Sequence, residues 1–302
     1  MGMAEIEHLL KADEENTENT RQLFLEFDPE LLDAFDEGNH LFQSFMRSFS
    51  QESTDDVDQA AITAIAEKSG LKASDLVAVL KEEKKYSCDQ NLINDLNQIR
   101  DRYYCRRARA LLTLQAYRSF MFAAADIRRM HVVRAIGQLR PEIEAVALIT
   151  IFQSDNHLAV EWYYIRADSE GKAFFKKTIG RVLNFCETHD LKNEWNLSSA
   201  AAQHSRLIGL VDGLQVEQFV EGDRKVTAFN LTLQDFSPEQ PEAFITRALY
   251  ILSTQAKLLL PLELALPEAS DPLLHETRIP RFQRKIERLY KVFDRKFPQF
   301  LA

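Results

Sequence analysis

Residues 61 to 85, AITAIAEKSGLKASDLVAVLKEEKK, set a small residue, a glycine and branched apolar residues at the intervals used by a DNA-reading helix pair. Ala66 suits the close contact between two helices and Gly70 a left-handed turn, with Ile65, Leu71, Leu76 and Val79 as internal support. The second helix, about Ala73 to Leu80, is then the one expected to enter a major groove. Its outward positions are Lys72, Ala73, Ser74, Asp75, Val77, Ala78 and Lys81, with Lys68 just before the turn. Lysines there meet phosphates. No arginine or asparagine is present for bidentate base reading, and Asp75 repels phosphate while able to accept from cytosine. Two helices of any bundle joined by a glycine turn give the same spacing, so both interpretations stay open.

Other chemistry is sparse. The chain has no phosphate-cradling glycine loop, no HExxH and no nucleophile elbow. Seven histidines show no ligand-type pairing, and His189 and His204 lack Cys or carboxylate partners at metal spacing. The expectation is therefore no enzyme, no catalytic residue, no metal and no cofactor. Cys88, Cys105 and Cys186 are few, odd in number and far apart, as expected of buried or free thiols in a reducing, cytoplasmic setting. Trp162, Tyr163, Tyr164, Phe174 and Phe175 cluster in sequence, with Phe122 and Phe152 as candidates to join them, either as core or around a cavity. Ten arginines lie between 100 and 140, a solvated helix face or a surface for phosphate or for the chain's own acids.

The elements that must carry these residues are helical. Glycine and proline number only 9 each, hydrophobic residues make up 45% and period-2 alternation is scarce, so the expected fold class is all-α. No uncharged apolar run is long enough to span a bilayer, and no membrane partner is expected. Residues 1 to 60 hold sixteen acidic residues against Lys11, Arg21 and Arg47, a balance of −13 within a total of −9 that leaves +4 on the other 242. Residues 1 to 40 read as an acidic N-terminal arm that either restrains the basic surfaces or only solubilises the chain, with 1 to 20 loosely ordered and Leu31 to Phe49 at helical spacing.

Further along, a long helix is expected from about Asp89 to Phe122, with Leu92, Leu96, Ile99, Tyr103, Leu111, Leu114 and Tyr117 inward. Pro141 is expected to open a helix and Pro261 to end one. A helix is expected over 198 to 220, and EGDRKVTAFNLTLQDFSPEQP is the most strand-like or irregular stretch. A basic amphipathic helix at 281 to 296 places Phe282, Ile286, Leu289 and Phe293 on one face. Two apolar stripes, Leu207, Leu210, Val211 and Leu214 on one helix and Phe244, Ala248, Ile251 and Leu252 on another, suggest the interface of a symmetric homodimer.

The run IAEKSGL at 65 to 71 resembles the DNA-binding domain of TetR/AcrR-type regulators, and 174 to 220, with its Leu210-Val211-Asp212-Gly213-Leu214 stretch, resembles their regulatory domain. The likeness covers about residues 40 to 258. It implies a helix-turn-helix domain at 41 to 88 binding operator DNA, a regulatory and dimerisation domain at 89 to 258, and a C-terminal extension from 259 to 302. It also implies an apolar small-molecule effector in a cavity lined by Phe122, Phe152, Trp162, Tyr163 and Phe174. The alternative is a helical protein–protein regulator that keeps the fold without sequence-specific DNA binding.

Overall fold

Leucine, alanine and phenylalanine recurring at helical spacing make helices along most of the described residues. The computed structural model describes residues 3–51, 62–67, 70, 72–80, 90–203, 214–221, 224–231, 241–266 and 274–298. In order they form α1 (Met3–Phe27), α2 (Glu30–Gln51), a short α3 (62–67), α4 (Ala73–Leu80), α5 (Gln90–Arg128), α6 (Val132–Ser154), α7 (Asn156–Tyr163), α8 (Asp168–Thr188) and α9 (Lys192–Gln203). An antiparallel hairpin follows, β1 (Leu214–Glu221) and β2 (Arg224–Leu231), in register from Leu214 opposite Leu231 to Glu221 opposite Arg224. Then come α10 (Pro241–Ala265), one π turn (Leu274–Arg278) and α11 (Ile279–Lys296). Helices supply nearly all of the described core, so the fold is all-α with a single hairpin among the described residues. None of these helices is long and apolar enough to cross a membrane.

The central pair is α5 and α6, joined by a tight turn in which Met130 takes a positive φ of 62°. Small and large residues alternate on the buried face of α5, Ala108, Leu112, Ala116, Phe120, Ala123 and Ile127, which lets α6 approach closely. Leu111 and Leu114, expected inward, are instead 49% and 37% exposed. The alanines with Leu112, Phe120 and Ile127 define the inner face here, and Leu111 and Leu114 fall just outside it.

Residues 3 to 20, within the stretch expected to be loosely ordered, lie in α1, and the acidic stretch continues into α2. Phe24, Phe35 and Phe42 are buried in the same core as Phe120 and Phe244, with Phe24 5.7 Å from Phe244 and Phe42 5.8 Å from Phe120, both stacked. The C-terminal stretch closes that core from the other end of the sequence. Phe282, Ile286, Leu289 and Phe293 of α11 are all buried, and Phe27 of α1 lies 6.3 Å from Phe293. Boundaries at 40 and 258 fall inside α2 and α10. Acidic residues of α1, α2 and the turn between them pair with basic side chains of the α5–α6 junction and of α11: Asp13 with Arg129 and His131, Asp36 with Arg128, Glu37 with Lys285, and Asp28 with Arg288. Most of these pairs are partly in water and orient the helices more than they stabilise them.

Two prolines sit inside helices instead of bounding them. Pro141 lies mid-α6 and Pro261 one turn before the end of α10. Each removes one backbone donor, but buried apolar residues on both sides, Ile136, Leu139 and Ile143 around Pro141, hold the helix through it. Over the expected 198 to 220 helix, α9 ends at Gln203 and Leu214 opens a strand. Two β-rich runs flank Gly222-Asp223, a pair suited to a tight hairpin turn.

Candidate functional site

A concavity of about 560 Å³ lies where α5, α6, α7 and α8 meet. Asp155 starts α7 by accepting from the Leu158 N–H at 3.2 Å, and its other oxygen takes the Arg181 guanidinium at 2.9 Å. Burial alone would raise that carboxyl, but Arg181 and the Leu158 N–H hold it below the usual carboxylate range. After Tyr163 the chain turns through 164 to 167 into α8. Ala167 has no side-chain acceptor, so Glu170 reaches back to accept from the Arg166 and Ala167 N–H groups at 2.7 and 3.2 Å. These backbone donors lower the Glu170 pKa.

The turn thus fixes the mouth of the pocket. Trp162 and Tyr163 come from α7, Phe174 and Phe175 from α8, Leu148 and Glu144 from one face of α6, and Leu111 from the outer face of α5. Burial raises the Glu144 carboxyl above its ordinary value, opposed by the Arg140 guanidinium. Arg166 sits at the rim, its guanidinium donating to the Tyr163 and Ile165 carbonyls at 2.8 and 3.0 Å. Its carbon lies 6.0 Å from the Tyr163 ring and 5.9 Å from that of Tyr164.

Of the expected ligand-binding residues, Trp162, Tyr163 and Phe174 line this pocket. Phe152 stands behind it, fully buried, 6.1 Å from the Trp162 ring and 6.4 Å from that of Phe174. Phe122 is no part of it: the ring is 49% exposed, with the Arg118 guanidinium over it at 5.8 Å. Glu144, Leu148 and Arg166 went unnoticed in the sequence. The signal for the first two was a carboxylate four residues from a leucine within PEIEAVALITIF, one helical face carrying a polar group in an apolar run.

The helix pair at 62 to 80 has its own small cluster of Ile62, Ala66, Leu76 and Ile99, with Ile65, Ala73 and Val77 packed against it. Gly70 adopts a φ of 67°, the left-handed conformation that lets the chain reverse there. Ala66 is buried at the contact and Leu76 is 1% exposed. Lys72 and Ser74 face solvent, Asp75 is partly buried, and Ala73 and Val77, expected outward, turn toward the cluster. Ala78 belongs to α4, while Lys68 and Lys81 lie outside the described residues.

The proposed dimer stripes fare differently. Phe244, Ala248, Ile251 and Leu252 are at most 1% exposed within the single chain. They pack into its own core, so no surface of theirs remains for a second copy. Leu207, Leu210 and Val211 lie outside the described residues, and Leu214 begins β1.

Among the described residues no group of three His, Cys, Asp or Glu is placed to hold a metal ion. No known protein family, curated protein or solved structure matches this chain.

Proposed function

We propose that the protein is a ligand-responsive regulator that reads DNA through α3 and α4 and senses a small molecule at the aromatic pocket, as the likeness to TetR-type regulators implies. The observation that carries the reading is the course of α5. This helix puts Ile99 into the small cluster that braces α4, and three turns later puts Leu111 into the pocket wall. A ligand that shifts α5 therefore reaches both sites through one rigid element. The protein acts in the cytoplasm as a homodimer whose contact lies outside the Phe244 stripe, and it performs no catalysis.

Lys72 is the described cation on the α4 surface, so Lys72→Glu tests the reading. Binding to DNA fragments should weaken alike for all sequences, and the log–log salt slope should flatten by about 0.9. Light scattering on the same sample reports whether the bound species is the pair. A wild-type protein with no salt-dependent DNA binding sinks the proposal.

One observation favours the second reading, a helical protein–protein regulator. With Ala73 and Val77 turned inward, the described outer face of α4 offers little beyond Lys72, Ser74 and part of Asp75. A stable partner retained in pull-down by a protein that ignores DNA would establish it.

A further inference from the structure

The aromatic pocket does not stand alone. A second hollow of about 580 Å³ adjoins it and shares Ile165, Arg166, Gly171 and Phe175 as a common wall. The two differ in chemistry. The first is walled by Trp162, Phe174, Leu148 and Leu111. The second adds Lys172 and Lys176, one helical turn apart on α8, with Asp168 as its one carboxylate. Neither lysine is in an ion pair among the described residues, whereas the neighbouring Lys177 is held by Glu161. Arg166 stands on the shared wall, between the apolar space and the cationic one.

From this juxtaposition we infer that the site takes an anionic amphiphile, its apolar body in the aromatic pocket and its phosphate or carboxylate head at Arg166, Lys172 and Lys176. A cationic ligand fits poorly. The Arg166 guanidinium already lies over the Tyr163 and Tyr164 rings, where a ligand cation would bind. Arg166, Lys172 and Lys176 would also repel it in the adjoining hollow, against the single carboxylate of Asp168. A neutral ligand leaves Lys172 and Lys176 without a counter-charge. Gly171 on the shared wall presents no side chain to either hollow.

The inference names the effector class of the regulator proposed above and rests on that reading only for its consequence at DNA, not for binding itself. Calorimetric titration of the full chain below the micelle threshold tests it with five probes: decyl phosphate, decanoate, decanol, decyltrimethylammonium and inorganic phosphate. Decyl phosphate or decanoate should bind more tightly than decanol, and the two show which head group is preferred. Lys172→Ala with Lys176→Ala should weaken the anions about tenfold and leave decanol unchanged. Leu111→Trp, at a half-exposed position that tolerates bulk, should narrow the pocket and weaken decanol and the anions together. Decanol or the ammonium binding as tightly as the anions would overturn the inference. So would anion affinity indifferent to the two lysines, or inorganic phosphate alone matching decyl phosphate. An amphiphile that binds and leaves DNA affinity unchanged defeats the regulator and leaves the site. DNA binding with no amphiphile affinity does the reverse.

Discussion

Glu142 shows what one buried residue can do to the stability profile. It is fully buried on α6, neither carboxylate oxygen has a hydrogen-bond partner among the described residues, and burial raises its pKa well above the usual 4.5. The folded protein therefore holds a proton that the unfolded chain releases. That group's contribution to stability is intact below about pH 4.5 and is lost as pH rises from there toward the folded pKa. Glu142→Met, of similar length and without the carboxyl, should stabilise the protein at pH 7 by about 1–3 kcal/mol. The gain should shrink toward zero near pH 4.5, as measured by urea denaturation at both pH values. A gain that is the same at both values would mean that Glu142 is ionised inside the fold. Cys186 is a milder case. Burial first, with the nearby Glu194 carboxylate, pushes its thiol up to about 11, which makes it a packing residue and not a nucleophile.

At the scale of elements, close approach decides more than hydrophobicity. Where α2 crosses α10, Gly38 leaves so little room that an added Cβ would lie 2.9 Å from Gln255 Oε1 and 3.2 Å from Phe120 Cζ. Gln255 is itself fully buried and cannot swing out to water. Gly38→Ala should therefore lower stability by about 1–3 kcal/mol despite its better helix propensity. Adding Gln255→Ala should recover part of the loss, because the new methyl then has space. Thermal melts of the single and double variants would show the coupling, and simple additivity would mean that the helices separate freely. The same rule explains the face of α5. Leucines at helical spacing suggested one buried stripe, but the alanine-rich stripe is the one that admits α6, and Leu111 is left for the pocket.

Across the whole molecule the two termini belong to one core. Phe24 and Phe35 near the start and Phe282, Ile286, Leu289 and Phe293 near the end are buried in one continuous cluster with Phe120 and Phe244. Removing 279–302 takes away those last four buried side chains, and at about 2–5 kcal/mol each their combined loss is comparable to the whole 5–15 kcal/mol of a typical fold. The truncated chain should lose its near-ultraviolet circular dichroism and cooperative melt. Survival of both with an unchanged midpoint would return the C-terminal stretch to the status of an extension. Ion pairs such as Arg288 with Asp28 then serve to orient α11 on the first two helices.

Local regularities were legible in the sequence because they depend on near neighbours. Helix content follows from composition and spacing, the buried face of α11 from its period of Phe282, Ile286, Leu289 and Phe293, and the Gly70 turn from a glycine between two apolar runs. Part of the pocket was legible too, since Trp162, Tyr163 and Phe174 are close in sequence and sit on adjoining helices. The rest is set by which elements meet. Glu144 and Arg166 become pocket residues only when α6 packs beside α7 and α8, and Phe122 leaves the pocket only because α5 turns it outward. Phe244 and its neighbours were apolar on any reading. Whether such a stripe faces a second copy or the chain's own α1 and α6 depends on contacts between residues far apart in sequence, and hydrophobic burial has no preference between them until the fold supplies one.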